Sequence, residues 1–275
     1  MLVLAFDTTG EHGGAGLYRD EVCLANAINR GPAHQYSISL FEMVEAVLAE
    51  AGGRNRVGAG QPGDDGKPVE ARPHWRATAP PLTLGDIELF AVANGPGSFT
   101  GIRVGLAAAK GWAAAFGRPV QGVSVFEAMV EEACPEAEWV VPIMDAHRSE
   151  FYLALFRRAG RSDGSGFVEQ GEGQVMKPQA VGLFLKELLA AAPLTCVVRD
   201  NDRAAETLRT DLPSSLGWQT VSGTLVRAVA RLGLQACRQG SVQSPTDLDA
   251  YYLRRPDAKV PTRNETSPKD PSPKG

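Results

Sequence analysis

The stretch from Ile87 to Phe116 constrains the fold of this chain most. An apolar run, Ile87 to Ala93, passes through Asn94-Gly95-Pro96-Gly97-Ser98-Phe99-Thr100-Gly101 into a helical segment that Gly117-Arg118-Pro119 stops. A strand that turns through glycines into a helix is half of an α/β unit, and the helix must pack back on the sheet it leaves. The flanks continue the pattern. Val120 to Val123 reads as a short strand, and Ser124 caps a helix from Val125 to Ala133. Upstream, Leu2 to Phe6 ends at Asp7, and Ala15 to Tyr18 and Val22 to Ala27 flank the turn Arg19-Asp20. These are three consecutive antiparallel strands. Pro32 suits the first turn of a helix with apolar positions Ile38, Phe41, Val44, Val47 and Leu48, ended by Ala51-Gly52-Gly53. The order β-β-β-α-β-α-β-α predicts an α/β layer structure with a mixed sheet.

The second half starts like the first. Trp139 to Met144 is a strand ending at Asp145, and Phe151 to Phe156 is its antiparallel partner. A turn region over 160–166, a helix from Val181 to Ala192, a strand from Thr195 to Val198 and a helix from Thr224 to Arg238 complete it. The expected division is an N-terminal lobe over 1–133, a C-terminal lobe over 134–255 and a disordered tail over 256–275, where five prolines fall in twenty residues. Residues 53–83, rich in Gly and Pro and without period, read as a flexible insertion in the first lobe.

Lys plus Arg number 28 and Asp plus Glu 32, a net charge of −4. That argues against a chain whose main task is gripping a phosphate backbone, and leaves room for a local basic patch. No window approaches the apolar length of a membrane span, and the N-terminus lacks the basic region of a signal peptide. Cysteines 23, 134, 196 and 237 form no CxxC, and the four histidines form no metal-binding pair, so a cytoplasmic protein with reduced thiols and no metal site is expected.

Three constellations could carry chemistry. The loop with Gly95, Gly97, Ser98 and Thr100 either cradles an anion at a helix N-terminus or is a structural turn with Ser98 or Thr100 as cap. Its spacing is neither GxGxxG nor GxxxxGK[ST]. Asp7-Thr8-Thr9 at a strand end can hold a hydrated cation and a terminal phosphate, or close a turn. Gly101, Gly105, Ala109 and Ala113 share one i±4 row that permits close helix approach, from the helix at 33–51 or from a second chain. No GxSxG elbow or HExxH motif supports a hydrolase.

Four stretches together resemble the TsaB (YeaZ) family of tRNA threonylcarbamoyladenosine synthesis. They are LAFDTTG, NGPGSFTGIRVGLAAAKGWA at 94–113, PVQGVSVFEAM at 119–129 and MDAHRSEFY at 144–152, with Tyr252-Leu253-Arg254 near the end. The likeness covers about 1–52, 84–157 and 245–255. It implies an actin-like ATPase fold (ASKHA, ribonuclease H-like) of two lobes, each with a mixed sheet begun by an antiparallel meander. It also implies a noncatalytic scaffold that activates a TsaD-type transferase, with a TsaE-type ATPase, in modifying N6 of adenosine 37 of ANN-decoding tRNAs. Phe41 and the row Gly101, Gly105, Ala109, Ala113 would then form the partner interface, which also suits a self-dimer. tRNA would be met only indirectly, no catalytic residue is assigned, and no resident cofactor is implied, ATP or ADP entering only in the complex. Asp7, Thr8, Thr9, Gly95, Gly97, Ser98 and Thr100 would be a vestigial nucleotide or anion site. Val198-Arg199-Asp200-Asn201 stands where relatives often have a glycine-bearing strand end, and a side chain there would crowd a phosphate. The alternative is a small-molecule phosphotransferase or ATPase of the same fold using Asp7.

Overall fold

A computed structural model describes residues 1–29, 36–54, 81–159, 166–200, 202, 207–209 and 212–254. Pro32, most of the expected insertion, the 160–165 turn and the tail lie outside the described residues. The elements are β1 (Leu2–Asp7), β2 (Gly14–Arg19), β3 (Val22–Ile28), α1 (Tyr36–Arg54), β4 (Leu89–Gly95), α2 (Phe99–Phe116), β5 (Val120–Ser124) and α3 (Val125–Ala133). There follow β6 (Trp139–Asp145), β7 (Phe151–Leu153), β8 (Phe156–Arg158), β9 (Phe167–Glu169), β10 (Gln174–Met176), α4 (Pro178–Ala191), β11 (Leu194–Arg199), β12 (Gly217–Val221) and α5 (Val226–Arg238).

Two sheets repeat one plan. The first runs β3-β2-β1-β4-β5, the second β10-β7-β6-β11-β12, with β8 and β9 branching from β6. In each, the opening strand pairs antiparallel on one side (β1 with β2, β6 with β7) and parallel on the other (β1 with β4, β6 with β11). This is the actin-like arrangement, each sheet begun by a meander.

β1 is buried along its whole length because helices cover both faces of its sheet. Leu2, Leu4 and Phe6 point into a core shared with Leu40, Val44 and Val47 of α1 and Ile102, Leu106 and Ala109 of α2. Val3 and Ala5 point the other way, into a core with Phe126 and Met129 of α3 and Val229 and Leu234 of α5. α5 follows the second sheet in the chain, yet packs on β1 and β4 of the first. It lies so close that a Cβ on Gly233 would come within 2.7 Å of the Ala91 methyl. A third core, with Val141, Ile143, Val181 and Val198, lies between the second sheet and α4.

Several boundaries differ from expectation for identifiable reasons. α4 begins at Pro178, the position where a missing amide costs least. α1 continues through Gly52 and Gly53 to Arg54. The expected strand from Phe151 to Phe156 is two strands, and β9, β10 and β12 are additional. In α1 the buried side is Tyr36, Leu40, Met43, Val44, Val47, Leu48 and Ala51, whereas Ile38 and Phe41 face outward at 63% and 48% exposure. No helix among the described residues is long and apolar enough to cross a membrane.

Candidate functional site

β1 of the first sheet and β11 of the second bring their chemistry together at their C-terminal ends. Asp7, fully buried, accepts at Oδ1 from the Thr9 amide at 2.9 Å and the Thr9 hydroxyl at 2.6 Å. Its Oδ2 accepts from Arg199 Nη2 at 3.3 Å and from the Leu225 amide at 3.4 Å. Arg199, at the end of β11, is itself buried, donates also to Thr9 Oγ1 at 3.3 Å, and lies against Gly10, where a Cβ would stand 2.5 Å from its Nη1. Its guanidinium therefore occupies the place beside the strand-end carboxylate where a cation would otherwise neutralise it. Thr8 is also committed, its hydroxyl donating to the Gly101 carbonyl at 2.7 Å.

The glycine-rich loop closes on itself in the same way. The Ser98 amide donates to the Thr9 carbonyl at 2.7 Å, and Ser98 Oγ accepts from the Gly101 amide at 3.2 Å, capping α2. Gly95 holds a φ of +122°, with its α-carbon against the Tyr251 carbonyl. Gly97 sits against Thr9, and Thr100 is exposed on the first turn. The Ser98 cap, one of the two readings of this loop, is formed. Asp7, Thr8, Thr9, Gly95, Gly97 and Ser98 do come together, with their polar groups directed at each other and at Arg199.

The small-residue row requires a correction. Gly101, Gly105, Ala109 and Ala113 are buried against the protein's own sheet. A Cβ on Gly101 would collide with the Thr8 carbonyl, and one on Gly105 would stand 2.5 Å from Thr8 Oγ1 and 3.3 Å from Val92. The close approach those glycines permit is helix to strand inside the chain, so the row is not open to a partner.

The outer side of α2 is open, and it too is small. Ala107 and Gly111 are exposed, Val104 and Ala108 half-buried, and a Cβ on Gly111 would meet nothing within 4 Å. Phe41 of α1 borders this face, its ring edge-on to Trp112 at 5.7 Å, while Trp112 reaches inward to Phe6 at 5.6 Å. Phe41 thus continues the α2 face, and Ile38 lies exposed one turn before it on α1. Spacing alone pointed to the inner row; the signal for the outer one was Gly111, a helical glycine without an internal neighbour.

Tyr36 was not anticipated. Its fully buried ring starts α1, its hydroxyl accepts from the Gly13 amide at 2.5 Å and donates to the Gly10 carbonyl at 2.8 Å. Burial holds its phenol above the usual tyrosine range, against the opposing bonds from Asn29 and Gly13. A lone tyrosine just ahead of an amphipathic helix carries no sequence signal for that role.

Fold and site together define a protein of the actin-like fold in which an internal guanidinium neutralises the strand-end carboxylate Asp7 and two helices present a bare outer face. A family model described as TsaD, tRNA N6-adenosine threonylcarbamoyltransferase, matches residues 79–169. The tRNA threonylcarbamoyladenosine biosynthesis protein TsaB of Escherichia coli is 35% identical over 38% of this chain and 46% of its own length. The protein of the same name from Haemophilus influenzae is 29% identical over 65% of each chain, so the matched part spans less than two thirds of either relative. The solved structure of YeaZ from Pseudomonas aeruginosa superposes with a TM-score of 0.65 at 20% identity, covering 92% of this chain and 99% of that one. The chain is thus similar to TsaB (YeaZ) proteins in sequence over part of its length and in fold over most of it.

Proposed function

We propose that this chain takes part in threonylcarbamoyladenosine synthesis on tRNA, as a noncatalytic subunit that docks on a TsaD-type transferase working with a TsaE-type ATPase. The observation that carries the reading is the outer face of α1 and α2. It joins Ile38 and Phe41, both exposed, to the small exposed residues Ala107 and Gly111. A glycine inside a helix costs about 1 kcal/mol relative to alanine. Gly111 has no internal contact to account for it. A second helix approaching closely from outside does account for it, because small residues let helix axes come near. A second copy of this chain would use the same face when the transferase is absent.

The state of Asp7 supports a noncatalytic role. A phosphotransferase centred on Asp7 would need Arg199 withdrawn from the carboxylate first, since the guanidinium sits where a metal or phosphate would be bound.

Reconstitution tests the reading. The transferase, the ATPase, tRNA and threonylcarbamoyl-adenylate are combined with and without this chain, and modified adenosine is counted by mass spectrometry. Product that depends on the chain, and is lost with Gly111→Arg, is the expected outcome. Equal product without the chain would refute it.

A further inference from the structure

A cleft at the amino end of α2 shares Gly97 and Ser98 with the loop beside Asp7 but not Asp7, Thr8, Thr9 or Arg199, and lies beyond the α1–α2 face. It encloses about 450 Å³, and three separate segments build it: the loop 96–102, Ala146 to Tyr152, and the run Tyr251 to Arg254. Its mouth is a set of flat groups. The Phe99 and Tyr252 rings lie 5.1 Å apart, tilted by 36°, and each keeps more than a third of its surface exposed. The Arg103 guanidinium lies on the Phe99 ring, 3.7 Å from its centre, and its Nε donates to the Tyr252 hydroxyl at 3.3 Å. Tyr152 lines the opposite wall.

The charges around this cleft are not equivalent. Arg254 is paired with Glu150 and donates to the Ala146 carbonyl at 2.9 Å, so it fixes the wall. His147 faces Asp145 at 3.4 Å. Arg103 has only aromatic partners and no carboxylate among the described residues, which leaves it a positive charge at the rim. In a chain of net charge −4, an uncompensated guanidinium stacked on a half-exposed ring is a specific feature. Open ring faces accept the π-face of an unstacked base, and a neighbouring guanidinium accepts its phosphate. A purely apolar occupant would leave Arg103 uncompensated, and a base inside a duplex has no free face to offer.

We infer that this cleft binds an unstacked nucleotide of single-stranded RNA, with the base against Phe99 and Tyr252 and the phosphate on Arg103. The inference rests on the reading above, which supplies tRNA as the source of such a nucleotide. It adds a direct contact where only an indirect one was expected.

The test is fluorescence anisotropy of the full chain with a labelled RNA hairpin bearing an anticodon-type loop, the same strand annealed as a full duplex, and adenosine monophosphate as competitor. The loop RNA is expected to bind about tenfold or more tighter than the duplex. Tyr252→Ala and Phe99→Leu should each weaken it by about tenfold. Arg103→Gln should lower the slope of affinity against salt by about one. Unchanged thermal midpoints show that the variants are folded. Loop and duplex bound alike, or affinities that none of the three substitutions alters, would overturn the inference. So would monophosphate competing as well as the RNA, which would make this a free-nucleotide site. Modification that needs the chain, with no RNA bound, defeats this inference and leaves the docking role standing. RNA held by this cleft, with modification independent of the chain, does the reverse.

Discussion

Asp7 and Arg199, 192 positions apart in the chain, form a buried ion pair that ties the opening strand of one sheet to β11, an inner strand of the other, Nη2 to Oδ2 at 3.3 Å. Both side chains are withdrawn from water, so neither can lose the other without leaving an uncompensated charge. Replacing Arg199 by Met should therefore cost about 3–5 kcal/mol of folding stability. Asp7→Asn with Arg199→Met should recover much of that loss, because the pair disappears as a unit. Equilibrium unfolding in urea of the two single variants and the double variant measures the coupling. A single variant costing under about 1 kcal/mol would mean the pair is solvated, as surface pairs are.

The two small-residue rows of α2 should separate cleanly under substitution. Gly105→Ala places a methyl 2.5 Å from Thr8 Oγ1, and overpacking of that kind costs about 1–3 kcal/mol. Gly111→Arg adds a side chain in open space, so the fold should hold and the thermal midpoint should stay level or rise slightly. Its effect should appear in co-elution with the transferase, which it should abolish. Retained co-elution would move the docking face elsewhere.

Much of this was legible in the residues. β1 to β5 and the helices between them follow from apolar runs bounded by turn residues, and the Ser98 and Ser124 caps sit where expected. What escaped was what depends on neighbours distant in the chain. The row Gly101–Ala113 has the same spacing whether it meets a foreign helix or the strand beneath it, and the positions of Thr8 and Val92 decide. The stretch Val198 to Asn201 could be seen to offer a side chain in place of glycine, but the bond from Arg199 to Asp7 exists only because two sheets meet. β9 and β10 have three residues each, too few for any period.

Tyr36 holds the loop that leads away from Asp7. Phenylalanine there keeps the ring in the core but removes the acceptor for the Gly13 amide and the donor for the Gly10 carbonyl. Tyr36→Phe should lose about 1–3 kcal/mol, the cost of leaving buried backbone groups unpaired. Hydrogen exchange at Gly13 should speed up well beyond that of the adjoining strand β2. Uniform exchange across the strand would show that the hydroxyl contributes no local restraint.

Glu131 on α3 gives the chain a calculable response to pH. It is 6% exposed and pairs with Arg231 Nη1 at 3.0 Å. Burial lifts its carboxyl above the ordinary glutamate range, and Arg231 pulls the other way without cancelling the effect. A carboxyl that holds its proton more tightly in the folded state makes stability fall as pH rises, starting near the ordinary value of about 4.3 and ending above the raised one. Each tenfold difference in proton affinity is worth about 1.4 kcal/mol. Glu131→Gln should remove this share of the pH dependence, so the variant should gain on the parent between about pH 4 and neutrality. Urea midpoints across that range read the difference directly. Parallel curves would place the Glu131 carboxylate in water, and a variant that loses ground as pH rises would mean that Arg231 outweighs burial.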